Sequence, residues 1–195
     1  MATFDWPREL APKSSKFYVV YNDMDFTSIF TSDQQIVSFP GDYWTLNMIL
    51  PPLGRDKERL LMATVDQLRG RQNKFRFRDY RFIQPVSAGS PVVDGAGQLG
   101  AQLRTRGWTP NQRVLRAADY VTVNEQLLRV TADVRSGNDG RAVLPLNIFL
   151  RSPPVSGQAV NYRSPYAVMR FINPENPINR QVGQAGITIQ AREAF

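Results

Sequence analysis

Over residues 43–50 the side chains alternate. Trp44, Leu46, Met48 and Leu50 fall on one face and Tyr43, Thr45, Asn47 and Ile49 on the other, the period of a strand. Pro51 and Pro52 stop that strand. The period then lengthens: over residues 56–68, Leu61, Val65 and Leu68 recur at helical spacing with Leu60 and Thr64 beside them, while Arg55, Lys57, Glu58, Arg59, Asp66 and Gln67 can face water. Asp56 is placed to cap this helix and Gly70 to close it. Beyond it, Phe75 and Phe77 alternate with Arg76 and Arg78, which predicts a second strand with its aromatics turned to the core. Residues 41–82 thus read as strand, helix and strand in close succession.

The next stretch, "QPVSAGSPVVDGAGQLG" over 84–100, is rich in Gly, Pro, Ser and Ala. It reads either as a linker or as a hairpin, with strands at 91–93 and 98–104 joined by Asp94-Gly95. Short strands follow at 114–117, 120–123, 127–134 and 142–149, separated by Asp119, by Asn124-Glu125 and by the turn signal Gly137-Asn138-Asp139-Gly140. In 127–134, Leu128, Val130, Ala132 and Val134 share a face, and in the return strand Val143 and Pro145 oppose Ala142, Leu144 and Leu146. Pro145 marks an edge or a bulge. The last stretch has two prolines and then a strand over 187–191, either a closing strand or an arm reaching a neighbour. No internal repeat or long heptad series is present, which disfavours a fibre.

Composition narrows the chemistry. The chain has 195 residues, 42% of them hydrophobic, enough for one good core or two small ones. It has no cysteine and no histidine, which excludes disulfides, thiolate chemistry, Cys- or His-bound zinc and imidazole acid-base catalysis. No apolar run approaches the roughly 18 to 20 residues that span a bilayer, and "MATFDWPREL" lacks the pattern of a signal peptide, so no membrane insertion and a cytoplasmic start are expected. The net charge of +7 is carried mostly by arginine, with lysine only at positions 13, 16, 57 and 74, a bias suited to fixed protein interfaces.

Each candidate for chemistry has a simpler structural reading. Asp23 and Asp25 in "NDMDF" are best explained by a turn between Tyr21 and Phe26. Asn138, Asp139 and Gly140 lack the remaining ligands of a calcium loop. Ser14, Ser15 and Lys16 are adjacent, and in an extended segment adjacency points them apart. Gly95, Gly97 and Gly100 match a dinucleotide spacing, yet "AQLRTRGW" after them reads as a strand instead of a helix. No catalytic residue, metal or cofactor is expected, and an accessory hydrolase is a weak third reading. The best candidate is the basic cluster Arg69, Arg71, Lys74, Arg76, Arg78 and Arg81, interleaved with Phe75, Phe77, Tyr80 and Phe82. It suits a protein interface first, a solvated face second and single-stranded nucleic acid third. With Trp6 near the N-terminus, the candidate interface residues are Trp6, Arg69, Arg71, Arg76, Arg78 and Arg81.

The run "FPGDYWTLNMILPPL", followed by a helix ending "LRGRQNKFRFRDY", is joined by an opening "FDWPREL" with Phe4, Trp6 and Leu10 as anchors, then "KFYVVYN" and "FTSIFTSDQQIVSF". This layout resembles the first domain of the distal tail and tail-tip proteins of long-tailed bacteriophages. The segment "ADYVTVNEQLLRVTADVRSGNDGRAVLPLNIFLRSPPVSGQAV" resembles a second module common in phage tail proteins, although Ala118 stands where a glycine is expected and Ser152 separates Arg151 from Pro153. The resemblance covers roughly residues 4–170. It implies a mainly β fold: a tail-tube-like β-sandwich with one flanking helix over 1–85, a linker or hairpin over 86–100, a small β-barrel or sandwich over 101–170, and a C-terminal strand or arm over 171–195. It also implies a structural, noncatalytic virion protein, assembled in the host cytoplasm as a hexameric ring. The partners would be other copies of the chain, the tail tube protein, and the hub or tip and fibre proteins, with DNA passing through the lumen unbound. The alternative is a nucleic-acid-binding protein with an OB-like barrel.

Overall fold

Alternation and then the helical period set the first elements: β1 (Thr3–Asp5), β2 (Ser14–Val20), β3 (Asp23–Thr27), β4 (Gln34–Ser38), β5 (Tyr43–Ile49), α1 (Arg55–Leu68) and β6 (Lys74–Phe77). The computed structural model describes residues 1–83, 85–175, 178–181 and 184–195, with the backbone alone at 179–181 and 184–186. Gln84, which heads the turn-rich stretch, and Pro177, the second proline of the final stretch, lie outside the described residues. On β5 the expected face is buried, with Trp44, Leu46 and Met48 inaccessible. In α1, Leu61 and Leu68 enter the core, Thr64 is buried beside them, and Leu60 and Val65 pack half-buried against it. Asp56 does not cap the helix: the N-cap is Gly54, with no side chain to offer, and Asp56 lies in the first turn, where a carboxylate suits the helix dipole. Arg69 (φ 46°) and Gly70 (φ 61°) both adopt the left-handed conformation that turns the chain out of the helix.

The middle of the chain contributes β7 (Gly89–Val93), β8 (Gln102–Trp108), β9 (Arg113–Leu115), β10 (Tyr120–Val123), β11 (Gln126–Arg129), β12 (Val134–Arg135) and β13 (Ala142–Pro145). The turn-rich stretch is the hairpin and not the linker: β7 and β8 pair antiparallel. Gln98 staples their connection, its Nε2 donating to the Asp94 carbonyl at 2.9 Å and its Oε1 accepting the Arg104 N–H at 2.7 Å. The strand expected over 127–134 is two, β11 and β12. Leu127 and Leu128 are both buried, which strict alternation forbids, and the Asp133 carboxylate between the strands accepts the Ala117 N–H at 2.9 Å. Ala118 takes φ 73°, the glycine-like conformation at the position where a glycine was expected. Pro145 sits on an edge strand, since the sheet runs β13-β8-β7. With β12-β9 and β10-β11, these are small separate sheets, and among the described residues none closes into a barrel.

The last strands, β14 (Ala167–Phe171), β15 (Asn179–Gln181), β16 (Gln184–Gly186) and β17 (Thr188–Glu193), decide the architecture. The main sheet runs β1-β6-β14-β17-β5-β2, with β1 and β6 parallel and every other pair antiparallel. The final strand is therefore an interior one and not an arm, and the divisions drawn at residues 85 and 170 cut through a single sheet. The fold is mainly β with one helix. Its core is continuous, because Trp44, Leu61, Phe75, Leu128, Leu144 and Ile189 belong to one apolar cluster.

Trp44 and Glu193 are among the residues that join the main sheet to the smaller ones. Trp44 Nε1 donates to the Leu127 carbonyl at 2.8 Å while its ring stacks on Phe17, centroids 4.6 Å apart. Glu193, on the buried face of β17, accepts the Trp44 N–H at 3.1 Å and pairs with Arg151, whose guanidinium lies 4.0 Å from the Phe195 ring centroid. Burial raises the Glu193 pKa above the ordinary glutamate value, against the opposing pull of Arg151 and the Trp44 N–H.

Two turns give opposite expectations. Asn124 (φ 50°) and Glu125 (φ 60°) form the two-residue turn between β10 and β11, a geometry that favours Asn-Gly. Glu125→Gly should stabilise the chain by about 0.5–1 kcal/mol by relieving that strain. Gly140 has φ 70°, and a Cβ there would lie 2.5 Å from the Trp108 carbonyl oxygen. Gly140→Ala should therefore destabilise by more than about 1 kcal/mol, both values being read from urea unfolding midpoints.

Glu193 predicts a pH dependence. Because its folded pKa is raised, the folded state holds the proton more readily than the unfolded chain. Its contribution to stability is thus largest below the unfolded glutamate value and declines as pH rises through the folded pKa. Glu193→Gln should flatten this part of a melting-temperature profile. Glu193→Ala, which strands Arg151 and the Trp44 N–H, should cost about 3–5 kcal/mol.

Candidate assembly surface

Between β2 and β5 the chain leaves the body as a hairpin arm of β3 and β4, which among the described residues pair only with each other. The register sets Met24 opposite Val37 and Phe26 opposite Gln35, so Met24, Phe26 and Val37 share one face. Asp23, Asp25, Thr27 and Ile36 share the other. At the tip the Ser28 hydroxyl accepts the Phe30 and Thr31 N–H groups, both at 3.3 Å, and this tight loop leaves Ile29 and Phe30 89% and 91% exposed. Met24, Phe26, Ile36 and Phe39 are exposed as well. A two-stranded hairpin with no core of its own is marginal in water, and clustered exposed apolar side chains mark a contact surface.

The arm corrects the turn expected at Asp23 and Asp25. Both lie within β3, whose pleat puts their carboxylates on one face, and the Thr27 hydroxyl donates to Asp25 at 3.2 Å. Among the described residues no three His, Cys, Asp or Glu side chains come close enough to hold a metal. Ser15 and Lys16, in β2, point to opposite faces of the sheet.

The predicted basic cluster is split by the fold. Phe75 and Phe77 are buried, so neither can stack on a base. Arg76 and Arg78 face outward on the far side of the same segment and both approach Asp5, at 3.9 and 3.8 Å, while Arg76 also approaches Glu125 at 4.0 Å. The Arg76 guanidinium lies 5.2 Å from the Tyr166 ring centroid. Arg69 is spent on the helix C-cap, although its side chain is exposed, and Arg81 is exposed beside Asp79, whose carboxylate accepts its N–H at 3.0 Å. Trp6 is not an interface residue of the free surface. It is 5% exposed, packs on Phe75 with centroids 5.3 Å apart and donates from Nε1 to the Leu10 carbonyl at 3.2 Å, so it belongs to the chain's own core. The nearby Tyr80 phenol is pushed up to about 12 by burial, which leaves it un-ionised near neutral pH.

Arg71 goes elsewhere, to a second cleft shared with Arg170 and Arg192, residues that sequence reasoning did not single out. Their grouping depends on the pairing of β14 with β17, which no local pattern in "VMRF" or "QARE" reveals. The arm was missed for a different reason. "MDFTSIFTSDQQIVSF" mixes apolar side chains onto both faces, and the signal that it stands apart is its bracketing by Asn22 and Pro40-Gly41. Chemically, then, the surface offers an apolar arm bearing carboxylates and separate arginine clefts. In comparison with known proteins, the chain matches no protein-family model and no curated protein.

Proposed function

We propose that the chain is a structural, noncatalytic component of a phage tail tip that assembles as a closed ring of six copies. The ring would join the tail tube to the hub and fibres and leave a lumen for DNA. The observation that carries this reading is the arm: an exposed hairpin with an apolar face and apolar tip gains stability once a neighbour covers it. An arm that leaves one side of a subunit and contacts a different surface of the next makes a head-to-tail interface, which closes into a ring when the rotation permits. The tail-like layout of residues 4–170 supports the same reading. The arginine-rich, lysine-poor surface suits fixed contacts with the tube and hub.

The test is stoichiometry together with loss of the arm. A cryo-EM map of the particle that contains this chain should show six copies around the tail axis. A single copy, or copies bound only to genome within a capsid, overturns the proposal. A variant in which an Asn-Gly turn replaces residues 23–38 should keep the melting temperature of the intact chain and fail to enter the particle.

A further inference from the structure

The cleft around Arg71, Arg170 and Arg192 has a volume of about 660 Å³ and is walled by Tyr18, Tyr43 and Ile172. Arg170 and Arg192 are direct cross-strand partners on β14 and β17, a like-charge pair that destabilises a sheet. Among the described residues none of these three arginines has a carboxylate partner within ion-pair distance. Arg170 Nε is buried without a hydrogen-bond partner, and one terminal nitrogen reaches only the Met1 sulfur, at 3.2 Å. The cleft of Arg76 and Arg78 differs in that carboxylates of Asp5 and Glu125 lie within 4.0 Å of its guanidinium groups, although Arg76 Nε and Arg78 Nε are likewise buried without a partner. Arg71 and Arg192 are exposed and Arg170 half-buried, so the cleft offers an anion three guanidinium groups that no carboxylate of the described residues occupies.

The arm supplies the complementary charge. Residues 21–42 include Asp23, Asp25, Asp33 and Asp42 and no lysine or arginine. Asp42 is engaged at the base, accepting the Asn22 N–H at 2.9 Å. Asp23, Asp25 and Asp33 have no cationic partner among the described residues. A chain does not fill its own cleft, since its arm side chains stay exposed. From Asn22 to the tip the arm extends about 25 Å, far enough to cross onto an adjacent subunit.

We propose that the Arg71–Arg170–Arg192 cleft is the docking site for the arm of a second copy. Asp25 and Asp33 meet the guanidinium groups, and Ile29 and Phe30 enter against Tyr18, Tyr43 and Ile172. This inference rests on the ring reading and names the surface that each arm occupies. Bidentate arginine–carboxylate pairs give such a contact orientation as well as attraction.

The arrangement predicts a trade that a merely structural arginine would not make. Arg192→Gln removes a like-charge repulsion, so the melting temperature of the full chain should hold or rise. Self-association, followed by sedimentation velocity at low salt, should weaken at least tenfold. Because the chain has no cysteine, Asp25→Cys and Arg192→Cys chains can be mixed under oxidising conditions, with a covalent dimer expected. An Asp25→Cys and Lys57→Cys mixture serves as the control and should give none. A charge-swapped pair, Asp25→Arg and Asp33→Arg in one chain with Arg170→Glu and Arg192→Glu in the other, should associate on mixing while each alone does not. If Arg192→Gln lowers the melting temperature and leaves association unchanged, or the cysteine pair gives no more dimer than the control, the docking site is overturned while the ring reading stands on its own stoichiometry. If the swapped pair associates but the particle holds a single copy, the ring reading fails and the docking site survives. A wild-type chain that stays monomeric up to millimolar concentration also overturns the docking site, since this contact requires no third component.

Discussion

A buried carboxylate can be tolerated only where its partners are delivered to it, and Glu193 is served from two directions. The Trp44 N–H comes from the neighbouring strand and the Arg151 guanidinium from the segment after β13. That requirement sets the register of β17 against β5. A slip of one residue would present Arg192 or Ala194 to the Trp44 N–H and would turn Ile189 and Ala191 out of the core. Because Arg151 also seals against the Phe195 ring, the same pair holds the smaller sheets to the main one. Trp44 closes the junction from the other side through the Leu127 carbonyl.

Local periodicity made much of this legible. The face of β5, the apolar stripe of α1 and the buried aromatics of β6 depend on neighbours within a few residues, and alternation reports them directly. Pairing partners are another matter. β6 lies between β1, near the start of the chain, and β14, some ninety residues later, and nothing in "KFRFRDY" encodes either neighbour. The same gap explains why the arginines were read as one cluster: Arg76 and Arg71 are close in sequence but turn to different clefts, and Arg71's companions arrive from β14 and β17. Other local readings failed because strand pairing or burial outweighed residue preference. Asp23 and Asp25, good turn residues, lie in a strand, and residues 127–134 break where both faces become buried.

Long-range pairing also shapes how the fold can form. The main sheet joins residues 3–20 to residues 167–193, so most of its ladder waits on distant segments. Such topologies close slowly, since the entropy of bringing the ends together is lost before the contacts are gained. The hairpins β3-β4, β7-β8 and β10-β11 are local and can form early, but only the last two have core to join.

The arm has a further significance in its point of insertion. β2 and β5 pair directly up to Val20 and Tyr43, and just beyond, the Asn22 N–H bonded to Asp42 and the Phe39 N–H bonded to the Asn22 carbonyl clamp the two legs together. The sheet therefore treats residues 23–38 as an enlarged turn. Substitutions, insertions or wholesale replacement within it leave the register of β2 and β5 untouched. Body and arm are thus mechanically separable: the packing of the scaffold is fixed by residues outside 23–38, and the exposed side chains of the arm set what it touches without entering that packing.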